Sequence, residues 1–419
     1  MTQPPSSSAL NGQLGQVLLA TLASATGFWA WMSIAPLQKT YAVSMGLNEG
    51  QISLMLATPV LVGSLGRVLV GALTDRLGGR KMFTAVLLGS MPAVLLVALA
   101  GATKNFPLLI GAGFYLGVAG TVFAVGIPFS SMWYEPSKRG FANGVFGMGM
   151  VGTAISAFAT PRLAESIGYL NTHYVIASVM VVVALLVWFF MKESPAWNSN
   201  PQPVIPRVMS ALRLGITWQM SFLYAVVFGG FVAFSTYLPK YLTTVYPTAV
   251  DQIGAGTRMG SFVIAAVIAR PFGGMLADRL GGKPITAVCM AAIAALAFIV
   301  SLQPSEGIVT GITFLAMAAA LGAGQGAVFG WVPRVSPPDK VGAISGVVAA
   351  AGSFGQFLMI PVASGLIGGM GWFGTLLVFA AGALLIVPLG SALTSGLAPG
   401  AAGSGQTARE ALGEAMRER

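Results

Sequence analysis

Charge is scarce in this chain. Asp, Glu, Lys and Arg make up 8% of its 419 residues, against roughly a quarter in an ordinary soluble domain. So few polar side chains cannot cover a soluble globule of this length, whereas an apolar fraction of 55% suits a lipid-facing surface. A single cysteine, Cys289, excludes an intrachain disulfide. With the single histidine, His173, it leaves no metal cluster, and no cofactor is expected. The apolar runs hold no paired carboxylates and no set of nucleophile and base, so the chain does not read as an enzyme. The formal charge of +10 does not point to nucleic acid. The basic residues gather in short loops beside hydrophobic runs, where they set orientation in a membrane.

What is present is a series of runs about 20 residues long, the length that crosses the hydrocarbon core. Twelve are expected, near 14–36, 52–73, 82–101, 106–129, 140–163 and 172–191, then 216–238, 256–277, 284–303, 307–332, 342–366 and 371–393. The first follows a polar, uncharged stretch with no basic n-region, so it is not read as a cleaved signal peptide. Residues 192–215 are the longest polar interruption. Four prolines between Pro195 and Pro206 give a stiff, non-helical linker between two halves. The expected organisation is an N-terminal six-helix half (1–191), a cytoplasmic linker (192–215), a C-terminal six-helix half (216–393) and a cytoplasmic tail (394–419). Loops on one side, with the tail, hold fifteen of the 22 Lys and Arg; five (Lys39, Lys104, Arg162, Lys240, Arg258) lie on the other. Both termini are therefore expected in the cytoplasm.

The remaining two basic residues, Arg67 and Arg270, fall inside spans, in PVLVGSLGRVLVGALTDRLGGR and IARPFGGMLADRLGG. A guanidinium at the centre of a membrane helix costs about 2.5–3.5 kcal/mol on insertion scales, so it marks a functional site with a partner. No acid shares the spans, which leaves an anionic substrate as the partner. Each arginine precedes an aspartate, Asp75 or Asp278, by eight residues, a rise of about 12 Å along a helix. The planar guanidinium fork suits a planar oxyanion that accepts two parallel hydrogen bonds. The bland alternative is a pair of arginines held by backbone carbonyls or snorkelling to lipid. Pro271, directly after Arg270, is expected to break the helix locally.

The halves repeat. Arg67, Gly71, Asp75, Arg76, Leu77, Gly78 and Gly79 recur as Arg270, Gly274, Asp278, Arg279, Leu280, Gly281 and Gly282. A second echo joins KRGFANGVFGMGMVG (138–152) to KVGAISGVVAAAGSFG (340–355). Two related six-helix halves are the mark of a rocking transporter with its site between them. The fold class is an all-α membrane protein, twelve helices in two pseudo-symmetric halves. Asp75, Arg76, Asp278 and Arg279 are gate candidates, with Arg80 and Lys283 as further counter-charges; plain topogenic charge is the alternative. Glycines at close helical spacing in the fifth and eleventh spans suit backbone-close helix packing. His173 falls in the short outer loop between spans five and six. Since no acid lies in the membrane, exchange of one anion for another is favoured over proton symport.

The DRLGG loops resemble the signature of the major facilitator superfamily. The arginine segments, with VFAVGIPFSSMWYEPSKRGFANGVFGMGMVGTA, FGGFVAFSTYLPKYL and GAGQGAVFGWVP, more closely resemble its nitrate/nitrite porter family over nearly the whole chain. The protein is expected in the inner membrane, surrounded by lipid, as a monomer, and the resemblance implies transport of nitrate or nitrite. It also implies that Gly147, Met150, Gly352 and Ser353 line the anion site together with an aromatic lining of Phe123, Tyr224 and Phe228. Tyr224 and Phe228, four residues apart, share one helix face, although ordinary packing would account for each ring. Phe28 and Trp31 are weaker candidates. Family members commonly carry asparagine where this chain has Met150, which offers no hydrogen bond, so the choice of anion is open here. Asn143 lies on the same face about 10 Å away. A carrier of small organic anions such as oxalate or formate, and an anion-sensing membrane protein, are the alternatives.

Overall fold

A computed structural model describes residues 13–361, apart from 200–202, several positions between 233 and 251, 303–306 and 338–339. Every regular element among the described residues is helical. In the N-terminal half these are α1 (Gln13–Trp31), α2 (Gln38–Met45), α3 (Glu49–Leu77), α4 (Gly79–Ala102), α5 (Phe106–Leu116), α6 (Val122–Met132), α7 (Arg139–Gly147), α8 (Val151–Ser166) and α9 (Tyr169–Phe190). After α10 (Val204–Leu212) come α11 (Gly215–Tyr224), α12 (Gln252–Leu280), α13 (Gly282–Ser301), α14 (Ile308–Val335) and α15 (Val341–Pro361). Short 3₁₀ turns at Gly117–Thr121 and Met148–Met150 join α5 to α6 and α7 to α8. Among the described residues, ten helical stretches are long and apolar enough to cross a membrane, and Val341–Phe354 is a shorter apolar one. The expected twelfth span, 371–393, and the tail, 394–419, lie outside the described residues.

The repeat read in the sequence is visible in the helices that carry the arginines. Helices α3 and α12 are each 29 residues long. Along α3, Leu61, Leu65 and Leu69 form an exposed apolar stripe, matched on α12 by Ile264, Ile268 and Phe272. This four-residue spacing is one helix face, and the arginines lie buried on the other. Each helix ends in a sharp turn at the first glycine of its pair, Gly78 (φ 85°) and Gly281 (φ 98°), a left-handed region that a side chain resists. At the other end of α3, Asn48 and Gln51 close a reciprocal cap: the Gln51 N–H donates to Asn48 and the Asn48 N–H to Gln51.

Three local expectations are corrected. The linker is not wholly non-helical: Val204–Leu212 is helical with Pro206 in its first turn, where a missing N–H costs nothing. His173 is not in a loop. It is buried near the start of α9, its Nδ1 2.9 Å from the Tyr169 carbonyl oxygen one turn earlier. Pro271 does not break its helix, since α12 runs through it. The backbone there is gripped from two sides: a side chain at Gly144 would meet the Pro271 Cα at 2.5 Å, and one at Gly326 the Arg270 carbonyl at 2.0 Å.

Candidate functional site

Helices α3 and α12 carry Arg67 and Arg270 into the contact between the halves, where both are buried (0% and 1% exposed). The Arg67 Nε donates to the Gly120 carbonyl (3.1 Å) and its Nη1 to the Ala349 carbonyl (3.0 Å). Nη1 also donates to the Ser353 hydroxyl. Ala349 and Ser353 belong to α15, so this side chain reaches from one half into the other. Arg270 reaches the opposite way. Its Nη1 meets the Met150 sulfur (2.8 Å) and the Gln325 amide oxygen (2.9 Å), and its Nη2 donates to the Tyr224 hydroxyl (3.1 Å). Two nitrogens, Arg67 Nη2 and Arg270 Nε, are buried without a hydrogen-bond partner among the described residues. Unfilled donors on buried cations are costly, and an oxyanion has the acceptors to fill them.

Aromatic rings separate and flank the two cations. The Phe123 ring centroid lies 5.6 Å from the Arg67 guanidinium carbon and 5.1 Å from that of Arg270. Phe28, Trp31 and Phe228 stand 5.9, 5.4 and 5.7 Å from Arg67. Tyr224 stacks on Phe228 at 5.1 Å and meets the edge of Phe329 at 4.3 Å. Ring faces attract cations and are strongest when water is excluded, so the box holds two like charges close without a carboxylate. Glycine makes room for it: a Cβ at Gly147 would come within 2.1 Å of the Arg270 Nε, and one at Gly352 within 2.4 Å of the Tyr224 ring.

The nine residues singled out in the sequence for the anion site, Arg67, Phe123, Gly147, Met150, Tyr224, Phe228, Arg270, Gly352 and Ser353, thus surround one locus. Phe28 and Trp31 belong there as fully as the others. Met150 is not silent, since its thioether accepts from Arg270 while still offering no donor. Asn143 is engaged elsewhere: its amide nitrogen donates to Ser131 (2.9 Å) and to the Phe329 carbonyl (3.0 Å). Gln325 and Phe329 were missed. Gln325 donates in turn to the Val227 carbonyl (3.3 Å), which lies in a π-helical turn at Ala225–Gly229. A lone amide inside the apolar run GAGQGAVFGW was the available signal, because such groups find partners inside a bundle.

About 12 Å along each helix, the two aspartates meet the opposite half at the face carrying the DRLGG turns. Asp278 accepts from the backbone N–H groups of Gly140 (2.9 Å) and Phe141 (2.8 Å), at the start of α7 in the other half. Arg334 completes it at 2.6 Å. Asp75 lies against the start of α15, where a Cβ on Gly342 would meet its Oδ1 at 2.0 Å, and Arg207 stands 4.0 Å away. A carboxylate at a helix N-terminus meets free N–H groups and the positive end of the dipole. The counter-charges therefore differ from those expected. Arg76 and Arg279 are exposed, and Arg80 lies over the Trp188 ring. The Arg80 and Gly79 N–H groups donate to Glu193, whose carboxyl burial holds above the usual carboxylate range against that pull.

The profile of the Major Facilitator Superfamily matches residues 17–249 and 241–415. A protein named probable nitrate/nitrite transporter NarK2, from Mycobacterium tuberculosis, is 48% identical over 348 residues, 83% of this chain and 88% of that protein. The nitrite extrusion protein of Bacillus subtilis is 32% identical over 83% of this chain and 86% of its own length. The probable nitrate/nitrite antiporter NarK1 of Thermus thermophilus is 33% identical, over 82% and 83%. Among solved structures, a double-tryptophan variant of XylE shares the fold at a TM-score of 0.74 and 15% identity, covering 91% of this chain and 96% of that one. The human organic anion transporter MFSD10 gives 0.72, also at 15%, covering 92% and 100%. Paired membrane arginines, repeated DRLGG turns and these similarities converge: the chain belongs to the major facilitator superfamily and, within it, to the nitrate/nitrite porters.

Proposed function

We propose that the protein carries nitrate and nitrite across the cell's inner membrane by alternating access, exchanging one anion for the other. The observation that carries this reading is the pair of buried guanidiniums on either side of Phe123, drawn from opposite halves and each with an unfilled donor. A planar oxyanion between them would accept from both forks and draw the halves together; rocking the halves apart would open the clamp. The names of the relatives support nitrate and nitrite as the anions. The basic loops argue that the DRLGG face is cytoplasmic, with both termini there. On this reading residues 1–191 and 216–393 are the two rocking halves, 192–215 joins them, and the chain works as a lipid-embedded monomer that catalyses no chemical step. Asp75 and Asp278 would hold the cytoplasmic side shut while the site loads from outside.

The test is equilibrium nitrate binding to detergent-solubilised Arg67→Lys and Arg270→Lys. Lysine keeps the charge and loses the fork, so each variant should lose about 100-fold in affinity while running as a folded species. Parent-like affinity in both variants would remove the two-arginine site. Binding of oxalate or formate in preference to nitrate by the parent would move the substrate to the organic-anion class.

A further inference from the structure

The two carboxylates at the DRLGG turns occupy matching positions, yet matching residues do not supply their cations. Arg334, which pairs with Asp278 at 2.6 Å, stands eight residues before Gly342. Eight residues before the equivalent Gly140 stands Met132. Met132 and Asp75 line the same small cavity, so the repeat brings an uncharged side chain to the place where the other half has its arginine.

The charge comes from outside the repeat. Helix α10 packs against both α3 and α15, the helices whose ends meet at Asp75. From it Arg207 enters the protein, 1% exposed, with Nη2 donating to the Ala72 carbonyl at 2.5 Å and Nη1 4.0 Å from the Asp75 carboxylate. Its Nε and Nη1 have no hydrogen-bond partner among the described residues. A tether has no need to bury a guanidinium, and this one stands beside a carboxylate, not in an aromatic box. Opening this face separates α3 from the start of α15, and α10 bridges the two.

We propose that the 204–212 helix is a moving part of the gate: Arg207 is a cation for Asp75 supplied from outside the repeat, and it must leave Asp75 before the DRLGG face opens. The proposal rests on alternating access, and not on which anion is carried.

The test reads gate opening without any anion. Ser345 is fully buried on α15, between Gly342 and the Arg67 contact at Ala349. In a Cys289→Ser background, Ser345→Cys gives one thiol whose maleimide labelling reports opening. Arg207→Gln should raise the labelling rate about tenfold, the effect of weakening a largely buried ion pair in a two-state gate. Asp75→Asn, which removes the other partner, should raise it by the same factor, and the two changes together no further. Met132→Arg added to Arg207→Gln should return labelling towards the parent rate, because it places the cation where Arg334 stands in the other half. Parent-like labelling in both Arg207→Gln and Asp75→Asn overturns the proposal. So does undiminished labelling after Met132→Arg, which would make Arg207 a packing residue only. Loss of nitrate binding in the parent would sink the transport reading and leave this readout intact.

Discussion

Arg67 and Arg270 sit on matching turns of matching helices and are held by different means. Arg67 takes its hydrogen bonds largely from main chain, the carbonyls of Gly120 and Ala349, with Ser353 as its one side-chain hydrogen-bond partner among the described residues. Arg270 is fixed by three side chains, Met150, Gln325 and Tyr224. The gate is unequal in a different way. Asp278 has two backbone donors and an arginine at 2.6 Å, whereas the cation near Asp75 stands 4.0 Å away on the linker helix. Duplication has kept the positions of the charges, which the mechanism needs at equal depth, and has let their partners diverge. The C-terminal arginine should therefore be the one that substitution can retune, and the C-terminal carboxylate the one whose loss costs most.

The largest break in this comparison should come from Gly147→Ala. The added methyl meets the Arg270 Nε at 2.1 Å and its guanidinium carbon at 2.5 Å, so this fork must shift, while the atoms it meets most closely include none of Arg67. Displacing one fork by an ångström should cost about 100-fold in nitrate affinity, read by equilibrium binding on protein that still runs as a monodisperse species. A loss under about threefold would mean that Arg270 is not held tightly enough to matter.

A smaller inequality is expected at the gate. Asp278→Asn should lower exchange turnover about tenfold and Asp75→Asn about threefold, with anion binding nearly unchanged because both lie about 12 Å from the arginines. Comparing initial exchange rates with binding constants checks this. Equal losses would erase the asymmetry, and complete loss of binding with intact folding would make the carboxylates part of the anion site.

The smallest effect concerns anion choice. Met150 accepts from Arg270 and gives nothing to the anion, so an amide at this position adds a donor that only a correctly placed oxygen satisfies. Met150→Asn should widen the ratio of nitrate to nitrite inhibition constants about three- to tenfold, measured by competition against labelled nitrate. An unchanged ratio would show that this position does not tune selectivity.

Much of this was legible before any coordinates. Two charges stranded in apolar runs, repeated at a constant offset with their DRLGG turns, announce both the two halves and the site between them, because lipid penalises such charges unless function retains them. The glycines and rings around them were legible through family resemblance. What stayed hidden depends on which helices meet. Gln325 lies on a different helix from Arg270, and no local pattern says that its amide turns towards it. The π-helical turn at Ala225–Gly229 depends on tertiary packing, and Arg207 lies in a segment whose prolines argue for a stiff coil. The cations near Asp75 and Asp278 are Arg207 and Arg334, not the adjacent Arg76 and Arg279, because a helix end meets its partner across the bundle. Pro271 misled because a proline's preference against helix is a local term, and the grip of Gly144 and Gly326 on that backbone outweighs it.

Two buried cations sharing one aromatic box, with no acid among the described residues to balance them, would require an anion whenever the halves change over. Counterflow tests this most directly. Labelled nitrate uptake is measured into proteoliposomes loaded with nitrite, and into empty ones with and without an inward proton gradient. The account predicts rapid uptake into nitrite-loaded vesicles and uptake at least about tenfold slower into empty ones at either pH. Equally rapid uptake into empty vesicles under the proton gradient would contradict it.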